Sequence, residues 1–267
     1  VAVVLHHPKK RGKTYRLATE KDLEVFREAE KCLEEKRVKL MDEWGIDPVP
    51  DEKIPLMSGV FNVPIYGIHK WGDLFNSRQK LALITFTEKV RLAYKKMIEE
   101  GHDKEYAKGL VSYLALGVDR LANRTSQQNL WNVFAEKAEQ VFLRQALPML
   151  WDYCEINSCE NQGWAKQFSY VLNAIKPLST LSLTANITQL SAISQPYHDN
   201  YFDAVFTDPP YYFNVPYADL SDFFYVWLKR TIGNIFPELF STPLTPKNNE
   251  IVQMEHWDKK RYPEKDK

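Results

Sequence analysis

Residues 201–230 read "YFDAVFTDPPYYFNVPYADLSDFFYVWLKR", and the way their first ten positions fold decides the class of the chain. Ala204, Val205 and Phe206 make a short apolar run that ends in Asp208, followed by Pro209, Pro210, Tyr211 and Tyr212. Proline has no N–H and fixes φ, so a pair of prolines stops a strand. The run therefore predicts a buried strand that ends in an acid, with "HDN" at 198–200 as the turn before it. In an open α/β sheet, side chains at the carboxyl end of a strand enter the crevice where such folds bind ligands. Asp208 and a nearby backbone carbonyl can both accept hydrogen bonds from one planar –NH2 group, and a tyrosine ring offers a stacking face for a flat heterocycle. The set suits an exocyclic amine of a nucleobase. An acid before two prolines is equally the composition of an ordinary turn, and tyrosines are common in cores.

Outward from this stretch, Ser221 to Ile232 predicts a helix capped by Ser221 or Asp219, with "FFYVWL" (223–228) as core. Upstream, "STLSLTANITQL" (179–190) is rich in β-branched residues and predicts a strand with its following turn. The last third thus reads β-turn-β-loop-α, a piece of an α/β sheet. Before it lies a helical block. "TEKDLEVFREAEKCLEEKRVKL" (19–40) has a capping Thr and apolar residues at helical spacing. A long helix follows Asn76 or Ser77 and stops at Gly101, "DKEYAKGLVSYLALGVDRLANRT" (103–125) predicts the next, and 127–157 a third, interrupted or ended near Pro148. "VAVVLHH" and "KTYRLA" pair as a hairpin, and the Pro-rich 47–64 reads as an extended linker. The expected division is 1–58 for hairpin, helix and linker, 59–177 for the helical block, and 178–267 for the α/β segment.

Composition bounds the function. The 267 residues balance 35 basic against 35 acidic side chains, so any basic footprint for nucleic acid is local. No apolar run is long enough for a membrane span, and three cysteines make neither a disulfide framework nor a zinc site, which points to a reduced, cytoplasmic setting. His6 and His7 lack partner ligands, so no metal is expected. Phosphate-loop and nucleophile-elbow motifs are absent.

"DAVFTDPPYY" (203–212) resembles motif IV of the S-adenosylmethionine-dependent amino-methyltransferases that modify adenine N6 or cytosine N4. The longer "TDPPYYFNVPYADLSDFFYVWLKR" (207–230) resembles the large adenine-specific DNA methylases described as the DUF1156 family, which carry a zinc-ribbon insertion. "AVVLHHPKKRGKTYRLATEKDL" (2–23), "YGIHKWGDLFNSRQKLAL" (66–83), "FLRQALPMLWDYCEIN" (142–157) and "FPELFSTPLTPKNNEIV" (236–252) agree in order. The resemblance implies a Rossmann-like S-adenosylmethionine methyltransferase fold, incomplete here, with a large helical insertion before the motif IV strand. It implies that Asp208 and the Pro209 carbonyl hold the target amine, with Pro210 shaping the loop. Tyr211 would stack on a base flipped out of the duplex, with Tyr212, Asn214 and Tyr217 as neighbours. S-adenosylmethionine would be the cofactor and DNA the partner.

For the cofactor, Asn186 stands where related enzymes place an acid, and Asp73 and Arg78 flank a helix N-terminus suited to an anionic group. "WDYCEIN" (151–157) lines the site in the same reading, or packs a helix end. Two departures stand out. Phe213 replaces an Asp common after the paired tyrosines, and the family's glycine-rich cofactor motif is missing from this sequence. That motif and the zinc ribbon would lie upstream of Val1, and later strands beyond Lys267. Two other readings remain: a non-catalytic recognition or scaffolding fragment, and a methyltransferase acting on RNA or a protein amide.

Overall fold

A computed structural model describes residues 1–6, 12–160, 162–182, 185–191, 194–211, 214–248 and 250. Tyr212 and His7, singled out above, lie outside the described residues, as do Phe213 and residues 251–267. Strands β1 (Ala2–His6) and β2 (Lys13–Leu17) form the expected antiparallel hairpin, with Val4 opposite Tyr15. Helix α1 spans Glu20–Trp44. Its start is tied by Asp22, whose carboxylate accepts from the Thr19 N–H and hydroxyl at 2.7 Å each. The Arg16 guanidinium, bound to the same carboxylate through two nitrogens, holds Asp22 well below the ordinary carboxylate range. Gly45, at φ 66°, ends the helix.

Helix α2 (Ser77–Glu99) begins at a reciprocal cap. Asn76 Oδ1 accepts from the Gln79 N–H at 3.0 Å, and Gln79 Oε1 from the Asn76 N–H at 2.9 Å. Gly101, at φ 82°, carries the chain away from its end. Helix α3 (Lys104–Ala122) is capped by Asp103, and α5 (Tyr217–Ile232) starts four residues earlier than Ser221. A helix absent from the sequence reading, α4 (Trp164–Leu178), packs across α3. Trp164 and Phe168 of α4 stack at 5.6 Å, and Gly117 of α3 admits them: a Cβ there would stand 2.9 Å from Phe168 Cδ2.

Three expectations are corrected. The Pro-rich 47–64 is no linker: Val49, Ile54, Met57, Val60, Phe61 and Val63 are buried in the main core. They join Trp71, Phe75, Phe223 and Trp227, whose rings meet at 5.4–6.2 Å, mostly edge to face. Nor is 127–157 a helix. Buried polar side chains there capture backbone groups that a helix would use. Asn129 Nδ2 donates to the carbonyls of Asn123 and Glu139, Asn129 Oδ1 accepts from the Ser126 N–H, and Gln128 Oε1 accepts from the Leu150 N–H. The result is an irregular segment with one small hairpin, β3 (Trp131–Asn132) and β4 (Lys137–Ala138).

The third correction concerns the expected sheet. Residues 201–207 and the described part of 179–190 form no strand, and the two sheets among the described residues are both two-stranded antiparallel hairpins. No parallel α/β sheet is present among them. A central strand needs neighbours to receive its N–H and C=O groups, and no described segment lies alongside 201–207.

Candidate functional site

After α4 ends at Leu178, the described residues up to Tyr211 form no helix or strand and are mostly exposed, and the chain is buried again at Val215 and Pro216. Asp208, Pro209, Tyr211 and Asn214 are exposed, and Pro210 is half-buried. Tyr211 shows 63% of its surface, and Tyr217 stands part-exposed at the first position of α5. Asp208 makes no hydrogen bond to any described residue, so both its oxygens are open to donors. Tyr197, Tyr201 and Phe202 pack on one another at 4.7–4.9 Å beside the turn at Asn200 (φ 60°). The "HDN" turn is therefore present, while the strand after it is not.

Downstream of the tetrapeptide, α5 is fixed at both ends and in its middle. Its first turn donates the Ala218 N–H to Glu250 Oε1 at 2.9 Å, a carboxylate at the positive end of the helix. Phe223 and Trp227 plant its middle in the aromatic core. Its last turn is clamped by Arg230, wholly buried: Nε donates to the Asp47 carbonyl (2.8 Å), Nη1 to Glu52 Oε1 (3.0 Å) and Nη2 to Asp51 Oδ1 (3.2 Å). Asp222, also buried, gathers the following loop by accepting from the Thr245 N–H at 2.9 Å and from Lys247 Nζ at 2.9 and 3.0 Å. Burial still raises its affinity for a proton, against the pull of Lys247 and Thr245.

The residues considered for the cofactor do not gather with the tetrapeptide. Asp73 Oδ2 accepts from the backbone N–H groups of Lys70 (2.9 Å) and His69 (3.2 Å), closing a single helical turn at 71–74. Arg78 is bound through Nε and Nη2 to Glu155, 2.9 Å each, and Asn76 Nδ2 donates to Glu155 at 2.7 Å. The helix N-terminus that suits an anion thus already holds one from the chain's own "WDYCEIN" string. Asn186 stands exposed in coil.

Among the described residues no group of three or more His, Cys, Asp or Glu could hold a metal, and no helix is long and apolar enough to cross a membrane. The cysteines are unpaired, and burial pushes the Cys154 thiol up to about 11, away from reactivity.

One further concavity went unread in the sequence. A groove of about 750 Å³ opens between α3, α4 and α5, walled by Tyr113, Leu116, Tyr170, Val171, Phe224 and Leu228. Asp119 lies in its lining, only 5% exposed, and its Oδ1 has no partner. Burial pushes the Asp119 carboxyl well above its ordinary value. The signal was present in the sequence: Val111, Ala115, Val118 and Ala122 share a helical stripe with Asp119, so an acid occupies an apolar position.

No family model, curated protein or solved structure matches this chain.

Proposed function

We propose that the chain carries the amine-holding part of an S-adenosylmethionine-dependent methyltransferase that acts on an exocyclic amine of DNA, adenine N6 first, in the cytoplasm. The observation that carries the reading is the tetrapeptide Asp208-Pro209-Pro210-Tyr211, open to solvent and tethered at once to a helix rooted in the core. Asp208 accepts one N–H of the amine, the Pro209 carbonyl the other, and the Tyr211 ring supports the base plane. Two acceptors on one –NH2 group fix the direction of its nitrogen, so the contribution is positioning. Asn214 and Tyr217 flank this arrangement, and Tyr212 belongs to it by sequence.

The described residues do not fit S-adenosylmethionine: Asp73 and Arg78 are engaged within the chain, Asn186 has no companion, and the sequence has no glycine-rich loop. In this reading the group supplies the methyl; what this chain's residues do is bind and orient the amine.

A second reading, a recognition or scaffolding module without catalysis, is favoured by the helical core being well packed while the motif side chains stay outside it. Capture of a flipped base separates the two, since the first reading requires it and the second does not; S-adenosylmethionine titration tests only whether the chain also holds the methyl donor. The amine-holding role has its own test. A duplex with 2-aminopurine at the target position should gain fluorescence on binding, and Asp208→Ala should weaken capture about tenfold. Equal capture by wild type and Asp208→Ala would remove the assigned role.

A further inference from the structure

Among the polar groups of the α3–α4–α5 groove, the buried Asp119 carboxyl accepts no hydrogen bond. Three of the hydroxyls that line it are turned inward to the chain's own carbonyls: Ser221 Oγ donates to Tyr217 (2.7 Å), Tyr225 Oη to Thr242 (2.9 Å) and Thr245 Oγ1 to Ala218 (2.7 Å). Arg120, the charged residue beside Asp119, lies with its guanidinium over the Tyr170 ring at 4.6 Å and makes no ion pair with Asp119. What is left is a mostly apolar trough of ligand size, with four aromatic rings in its wall, and a buried carboxyl with nothing to accept from. A buried polar atom without a partner is costly to keep. A donor brought by a ligand answers that cost, and a cationic donor also answers the charge.

We infer that this groove binds an amine-bearing aromatic molecule, its ring against the tyrosine and phenylalanine walls and its amino group on the Asp119 carboxyl. The ring faces add cation–π attraction to the ion pair, which selects an ammonium over a neutral hydroxyl of the same size. The groove lining includes none of residues 208–214, so this site stands apart from the amine-holding tetrapeptide and does not depend on the methyl-transfer reading.

The experiment uses tryptamine and its neutral counterpart, in which a hydroxyl replaces the amine, titrated into the full chain by calorimetry. Tryptamine should bind at least about tenfold more tightly than the alcohol, and Asp119→Asn should erase that preference while leaving the alcohol unchanged. A second variant guards against misfolding: Ala174→Trp, at an exposed position of the groove wall, should block both molecules. Equal affinity for the two molecules, no tryptamine binding at millimolar concentration, or tryptamine binding untouched by Asp119→Asn or by Ala174→Trp would each overturn the proposal.

Discussion

"YFDAVF" (201–206) and "FFYVWL" (223–228) lie sixteen residues apart and are both rich in apolar side chains, yet they end in opposite places. Val226 and Trp227 are wholly buried, whereas Val205 is 72% and Phe206 95% exposed. The cause is where the backbone finds its hydrogen bonds. A helix closes its own N–H and C=O groups, so α5 enters the core needing only side-chain partners. A strand closes none of its own, and an apolar run without a neighbouring strand has nowhere to bury its backbone. The second stretch builds the core, and the first keeps its chemistry facing water.

The contrast sets the size of the responses to mutation. In α5, Trp227→Ala or Arg230→Ala should each cost about 3–5 kcal/mol. The first leaves a large cavity, and the second strands Glu52 and the carbonyls of Asp47 and Val49 without their donor. Urea denaturation measures both, and losses under about 1 kcal/mol would show that α5 is not the anchor.

Asp119 should give a smaller effect with a pH signature. Its folded carboxyl holds the proton well above the ordinary value, so its contribution to stability is complete below the unfolded value of about 3.9 and is lost as pH rises through the higher folded value. The charged or titratable groups lining the groove with it are Tyr113 and Arg120 on α3, Tyr170 on α4 and Tyr225 on α5. Asp119→Asn removes this titration, so the variant should gain on wild type from pH 4 towards neutrality, by about 1–3 kcal/mol. Urea midpoints compared across pH check it, and a constant difference would contradict the raised carboxyl.

Smallest of all, Val205→Asp with Phe206→Ser should change stability by less than about 0.5 kcal/mol, because neither side chain touches the core. Limited proteolysis should cut first within residues 194–211, and amide exchange should be fast there and slow in α5. A marked loss of stability in the double variant would mean that 201–207 is paired after all.

Much of the fold was written locally. Thr19 with Asp22, Asn76 with Gln79, Asp103, and the left-handed glycines at 45 and 101 mark helix ends through hydrogen bonds spanning a few residues, which a sequence displays directly. The irregular 127–157 was illegible for the opposite reason. Ser126 Oγ and the Gln127 N–H both pair with the Leu74 carbonyl, and the Leu147 N–H pairs with that of Val60, partners set by folding rather than by neighbours in the chain. The apolar residues of 47–64 sit between prolines without helical or strand period, so their burial follows from shape complementarity alone.

The candidate site divides along the same line. The tetrapeptide Asp208–Tyr211, its acceptors and its ring were read from residue type and order, because a proline pair after an acid constrains backbone wherever it stands. Its exposure was not, because a strand exists only with a partner. Asp73 and Arg78 were sound as residue types for an anion, yet tertiary contacts committed them to a helical turn and to Glu155. By itself, then, the sequence determined the ends of α1, α2 and α3, the apolar stripes of α1, α2, α3 and α5 and the residue types of the tetrapeptide, all products of short-range geometry. Only the tertiary structure decided which strands had partners, which charges were already satisfied, and that one buried acid, Asp119, was left facing an aromatic groove. Those outcomes depend on groups brought together from distant parts of the chain.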